Sequence, residues 1–142
     1  MSTTTNPFQA PVSDSPSYDS SALAAPLTIT EVLFSFDGRI GRQTYWLASI
    51  GVAVAYYGVM GVGMVLGLPD DLLGIMLLVG YIPLIWASLA IQTKRWHDRD
   101  KSGLWILIGM IPLIGPIWSF VECGLLPGTP GTNEYGRDPV GY

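Results

Sequence analysis

Charge is scarce where a water-soluble helix would need it. Between Gln43 and Thr93 the only ionised side chains are Asp70 and Asp71, and they split the stretch into Tyr45–Leu68 and Leu72–Ile91. Cysteine and histidine are scarcer still, with one of each in 142 residues. The lone Cys123 excludes an internal disulfide and assigns no redox compartment. One histidine and one cysteine give no zinc-ligand spacing, so no metal and no cofactor is expected. The seven basic residues form no long basic face of the kind that tracks a phosphate backbone, which argues against nucleic acid. The amino terminus lacks the basic region and prompt apolar core of a signal peptide. The first apolar run starts near residue 44, so it reads as a retained anchor.

What is present is apolar length. About 20 apolar residues at 1.5 Å rise match a hydrocarbon core ~30 Å thick, and each half of the stretch reaches that. A buried helix in a soluble protein seldom runs so far without a polar face. The expected fold is therefore all-α and integral to the membrane. It has three transmembrane helices, the third Pro-kinked or re-entrant, preceded by a short interfacial amphipathic helix.

Composition divides the chain into four parts. Residues 1–28 are rich in Ser, Thr, Pro and Ala, offer little apolar area to offset chain entropy, and are expected to be disordered. Residues 29–43 read as the interfacial segment, with Thr30 as its cap and a bend at Gly38 to Gly41. Residues 44–126 form the membrane domain, with spans at about 44–68, 72–92 and 104–126. Residues 127–142 carry Pro-Gly twice and Asp138-Pro139, which specify successive turns.

Six of the seven basic residues, Arg39, Arg42, Lys94, Arg95, Arg99 and Lys101, flank the apolar runs, whereas the 69–71 loop has none. The positive-inside rule then puts residues 1–43 and the 92–103 loop in the cytoplasm. Asp71 is expected to cap the second helix. In the third segment Pro112 and Pro116 each remove a backbone donor. They leave two outcomes: a kinked span with the tail outside, or a re-entrant hairpin that returns it. Gly51 with Ala55, and Gly63 with Gly67, mark faces where helices could approach closely. Trp46 and Trp105 fit the interfacial aromatic belt, and Trp86 lies deeper as a packing residue.

The polar cluster offers the candidate sites. Arg39 and Arg42 have the guanidinium forks that suit phosphate or carboxylate. They read either as holding anionic lipid headgroups or as pairing with Asp98 and Asp100 to close the bundle. Arg95, His97, Asp98 and Arg99 follow in one short run. His97 beside Asp98 invites a general-base reading, but neighbours on a helix diverge by about 100°, and no nucleophile motif accompanies them. No catalytic residue is assigned. Glu122 falls at the end of the third apolar run, and Asn133 and Asp138 are placed to bond nearby backbone amides in the tail.

Several motifs occur together and in order. Phe36-Asp37-Gly38-Arg39-Ile40-Gly41-Arg42 with Tyr45-Trp46 resembles the F-x-G-R-x-x-R-x-x-Y-W opening of the DUF805 family of small bacterial inner-membrane proteins. Arg95-Trp96-His97-Asp98 is similar to its R-L-H-D element, with Trp96 for the usual leucine. Ser102-Gly103-Leu104-Trp105, Ile111-Pro112-Leu113-Ile114-Gly115 and the tail from Pro127-Gly128-Thr129 through Asn133, Gly136, Asp138 and Pro139 follow. The resemblance covers about residues 31–140. It implies a multi-pass protein of the bacterial inner membrane and supplies no reaction.

The leading functional expectation is a non-enzymatic membrane component that assembles with itself or with a membrane-protein partner. Its basic cytoplasmic surface would meet membrane lipids through anionic headgroups. The alternatives are a transporter or channel subunit, on the strength of Pro83, Pro112 and Pro116, and a lipid-headgroup enzyme using His97 and Asp98.

Overall fold

Residues 25–140 are described by the computed structural model. The expected disorder of residues 1–28 falls, up to residue 24, outside the described residues. The order is α1 (Ile29–Phe34), α2 (Arg42–Val65), α3 (Asp70–Asp98), a 3-10 helix (Gly103–Met110), α4 (Ile114–Ser119) and a π-helical turn (Phe120–Leu125).

Helix α1 starts two residues earlier than the Thr30 cap would allow. Thr28 is the cap: its hydroxyl accepts from the Glu31 amide at 3.3 Å, and Glu31 reaches back to the Thr28 amide at 2.8 Å. This reciprocal box satisfies two donors that the first turn would leave open. It also holds the Glu31 carboxyl below its ordinary value, chiefly through the Thr28 hydroxyl. After Phe34 the chain turns through Gly38, whose φ of 90° is the backbone state glycine adopts without strain.

Helices α2 and α3 are each long and apolar enough to cross a membrane. Only 11% of the apolar window of α2, and 6% of that of α3, is covered by protein. Water would not tolerate that much bare apolar helix, so the surrounding solvent is lipid. The corner between the helices corrects two expectations. Gly67 belongs to no helix-packing pair. At φ 67° it ends α2, with the Leu68 amide donating to Gly63 O at 3.1 Å and the Gly67 amide to Met64 O at 3.1 Å, the paired bonds of a glycine-terminated helix. Gly63 admits the corner itself, since a Cβ there would lie 2.9 Å from Leu73 and 3.3 Å from Leu68. Asp71 caps nothing. Pro69 is the N-cap and Asp70 opens the helix without a side-chain cap, because Pro69 already has the extended φ that leads into it.

Helix α3 does not stop at residue 92 but runs to Asp98. The stretch read as a loop is largely helix, because Lys94, Arg95 and Asp98 turn inward to partners on other segments. A small core of Val32, Ile40 and Ile91, with Leu33, Tyr45 and Ala48 around it, packs α1 onto this end of α2 and α3.

The third apolar segment is not one long helix. The 3-10 arm leaves the end of α3, breaks at Ile111–Leu113, and the α4 arm packs back against it, so that Glu122 lies beside Lys101 and Arg99. Gly115 allows this fold-back, because a Cβ there would strike the Ile108 carbonyl. At the tip the Ile114 amide donates to Pro112 O at 2.8 Å across Leu113, whose φ is 65° and ψ −54°. That is the rare, strained form of γ-turn.

Candidate functional site

The last turn of α3 gathers most of the candidate residues. Arg95 and Asp98 are three apart and share one helix face. Asp98 Oδ1 accepts from Arg39 Nε at 3.1 Å and Nη2 at 3.0 Å, while Arg95 Nη1 donates to Oδ2. All three side chains are enclosed, with 0–1% of their surface exposed. Taking such charges out of solvent is costly unless every donor and lone pair finds a partner. Here they do. Arg39 Nη1 donates to Gly131 O at 2.7 Å and Gly136 O at 3.2 Å, and its Nη2 to Thr129 O at 2.6 Å.

The carboxyl tail is thereby tied to the end of α3. Thr129 donates to the Asp98 carbonyl through its amide at 2.8 Å and its hydroxyl at 3.0 Å. Asn133 Nδ2 donates to His97 O at 2.8 Å, and Asn133 Oδ1 accepts from the Tyr135 amide at 2.9 Å. Asp138 accepts from the amides of Gly131 and Val140 at 3.2 and 2.9 Å. Gly128 approaches so closely that a Cβ would fall on the Asp98 carboxylate. His97 points elsewhere: its Nδ1 lies 3.2 Å from Gly38 O, and its ring stacks on Tyr135 at 3.9 Å. The structure brings Arg39, Arg95, Asp98, Asn133 and Asp138 into one network and leaves His97 on the adjoining side of the helix.

A second pattern concerns helix ends. The last carbonyls of a helix have no partner within it. Four consecutive ones at the end of the returning arm are each taken by a side chain. Cys123 O accepts from Arg95 Nε at 2.6 Å, Gly124 O from Trp46 Nε1 at 3.1 Å, Leu125 O from Arg42 Nη1 at 3.0 Å, and Leu126 O from Arg95 Nη2. The end of α1 is treated alike: Lys94 Nζ donates to Val32 O at 3.0 Å and to Ser35 O, and Trp86 Nε1 to Phe34 O at 3.3 Å. Cations at a helix carboxyl end also meet the negative pole of its dipole.

Arg99 and Lys101 close the hairpin by pairing with Glu122 at 3.0 and 2.7 Å. Burial pushes the Glu122 carboxyl up, but its hydrogen bonds to Lys101 and Arg99 outweigh that and hold it below the ordinary 4.5. Lys101 also lies over the rings of Trp96 and Trp105, 5.5 and 5.0 Å from their centres. Trp96 itself is buried, and its Nε1 finds no partner among the described residues.

Gly128 and Thr129 stand in the sequence only as part of the tail motif, and nothing there singles out Tyr135; each matters through what the fold lays against it. Among the described residues no three His, Cys, Asp or Glu side chains converge as a metal ion would require.

The family model for proteins of unknown function DUF805 matches residues 33–137. The chain belongs to the DUF805 family. It is 32% identical over 114 residues to the inner membrane protein YhaI of Escherichia coli K12, an alignment that covers 80% of this chain and 92% of YhaI. The inner membrane protein YhaH of the same organism is 31% identical over 122 residues, covering 80% and 93% of the two chains. The uncharacterized protein YiiR, also from that strain, is 29% identical over 137 residues, covering 79% and 90%. No solved structure matches. With two apolar helices of spanning length, this DUF805 chain is a multi-pass protein of the bacterial inner membrane. Its Arg39–Asp98 network, built from two separated family motifs and the tail, lies at the polar end of those helices.

Proposed function

We propose that this chain is a non-enzymatic component of the inner membrane that works by assembling with itself or with another membrane protein. Its polar cluster would be an internal clasp. The observation that carries this reading is where the cations go: Arg39, Arg42, Lys94 and Arg95 all donate to backbone carbonyls of other segments. Side chains so occupied hold the fold and are poorly placed to recruit anionic headgroups. Headgroup contact then falls to the partly exposed Arg99 and to the unbonded edge of Arg42. The broad apolar flank of α2 and α3 is left for lipid or a partner. In this reading residues 25–43, the end of α3 and the returned tail share the cytoplasmic side, in keeping with the basic residues gathered there.

Reconstitution in nanodiscs with mass measurement tests the proposal. More than one copy per particle, or a co-purifying membrane protein in fixed ratio, is expected. A single unaccompanied copy overturns it. The His97→Ala variant separates the enzyme alternative. If His97 only packs between Gly38 and Tyr135, the variant changes abundance or melting temperature, whereas a headgroup enzyme keeps both and loses lipid turnover. A transporter subunit draws its support from the break at Ile111–Leu113, since interrupted helices line midplane sites. Solute flux in proteoliposomes that depends on Pro112 would favour it.

A further inference from the structure

Most of the apolar surface of this chain carries no mark of what covers it. The groove between α1 and α2, about 490 Å³, has no charged side chain in its lining and so selects no occupant. The groove along the returning arm is different. It holds about 460 Å³ between Ile114, Ile117, Trp118, Val121 and Leu126, and its lining ends on Glu122. That carboxylate is the one to which Arg99 and Lys101 are fastened. Apolar walls and a charged end thus belong to a single depression.

The charge at that end is unbalanced, because two cations share one carboxylate. Asp100, between them in sequence, is exposed and forms no ion pair with either. Arg99 uses Nε on Glu122 and Nη1 on Pro127 O, which leaves Nη2 without an acceptor among the described residues. Lys101 Nζ meets Glu122 Oε1 and no other acceptor among those residues, so further N–H donors stay open. Both side chains reach solvent, at 21% and 25% exposure. The rings of Trp96 and Trp105 lie 5.5 and 5.0 Å from the ammonium and help to hold it beside Glu122.

We infer that this groove binds one anionic phospholipid, an acyl chain lying against Ile114, Ile117 and Trp118 and the phosphate meeting Arg99 and Lys101. A guanidinium and an ammonium with spare donors suit phosphate oxygens, and the excess positive charge favours a lipid with net negative charge over a zwitterion. An apolar helix of another protein would fill the groove and leave those donors unmet. A chain joined to a phosphate answers both ends at once. The inference deepens the headgroup part of the reading above, naming the lipid class and the site, and does not depend on how many copies assemble.

The full chain in phosphatidylcholine nanodiscs is doped with a minor fraction of acyl-brominated phosphatidylglycerol or, in parallel, of acyl-brominated phosphatidylcholine. Bromine quenches a tryptophan that it touches, and the difference between wild type and Trp118→Phe isolates the signal from the groove. Phosphatidylglycerol is expected to quench Trp118 more than phosphatidylcholine does. Arg99→Gln and Lys101→Gln should each cut that preference about five-fold. Glu122→Gln separates a headgroup site from a merely intact hairpin: it loosens the hairpin as the cation variants do, but it frees both cations and should keep or raise the preference. Equal quenching by the two lipids overturns the inference, as does a preference that falls in Glu122→Gln too. A co-purifying protein that shields Trp118 from both lipids also overturns it. Copy number in the same particles reports on assembly separately. Several copies with equal quenching overturn the lipid site alone, and an unaccompanied single copy that prefers phosphatidylglycerol overturns the assembly reading alone.

Discussion

Asp98 is the residue on which the polar end of the molecule turns. It balances two buried guanidinium groups, and its carbonyl receives Thr129 of the tail. Replacing Asp98 with Asn keeps the shape but leaves Arg39 and Arg95 enclosed without a counter-charge. Removing one partner of a buried pair typically costs about 3–5 kcal/mol, so Asp98→Asn should fall sharply in melting temperature and in membrane abundance. Arg42→Ala, which breaks one charged hydrogen bond to Leu125 near the surface, should cost only about 1–2 kcal/mol. Equal loss in the two variants would show that Asp98 is not the centre of the network. Gly128→Ala tests the same centre from the tail, since its new methyl group lands on the carboxylate. At least about 1–3 kcal/mol of overpacking is expected, visible as a lowered melting temperature. The sequence offers Arg39 and Arg42 either anionic headgroups or Asp98 and Asp100, and it is the fold that sets Arg39 on Asp98 and Arg42 on the Leu125 carbonyl. The need for glycine at position 128 is likewise not legible in the sequence, since it arises only when residues thirty apart are brought together.

Among the elements, the two long helices could be read from length and charge alone, but their ends and the third segment could not. Helix α3 continues to Asp98 because Lys94 and Arg95 find carbonyls on α1 and on the returning arm, partners that periodicity does not reveal. Pro112 and Pro116 announced a break without deciding between a kink and a reversal. What reverses the segment is partly Gly115 lying against Ile108 and partly Glu122 meeting Arg99 and Lys101. That closure has a definite pH dependence. The Glu122 carboxyl is lowered in the folded chain, so the unfolded chain binds the proton more tightly. Its contribution is complete above the ordinary 4.5 and is lost as pH falls from there through the lowered folded value. Thermal melts of wild type and Glu122→Gln in nanodiscs should therefore differ most near neutral pH and converge in acid. A gap that persists or widens toward low pH would remove the ion pair as the hairpin's fastening. At the other end of the chain, Thr28→Ala deletes the cap of α1 and should cost about 1 kcal/mol, read in the same melts.

For the whole molecule the deciding question is which side of the bilayer holds the tail. The carbonyls of Gly131 and Gly136 accept from Arg39, and Asn133 donates to His97 O. A tail on the far side of the membrane from Arg39 could make none of these bonds, and Asp98 would then hold two arginines with no backbone to complete their donors. The clasp and a crossing third segment are thus mutually exclusive. In the Cys123→Ala background, a cysteine replacing Glu134 in the tail should react with an impermeant maleimide only after the inner membrane is opened, together with one replacing Asp37 before α2. A cysteine replacing Asp70, in the α2–α3 corner, should react in intact spheroplasts. All three positions lie on the polar rim, so the substitutions leave the apolar helices untouched. If the residue-134 cysteine labels with the residue-70 cysteine instead, the tail is outside and the network around Asp98 does not exist in the membrane. If residues 37 and 134 label together in intact spheroplasts and residue 70 does not, the clasp survives with the whole chain inverted. The charge asymmetry of the flanks argues against that outcome, because the basic residues lie on the clasp side and Asp70 and Asp71 on the other.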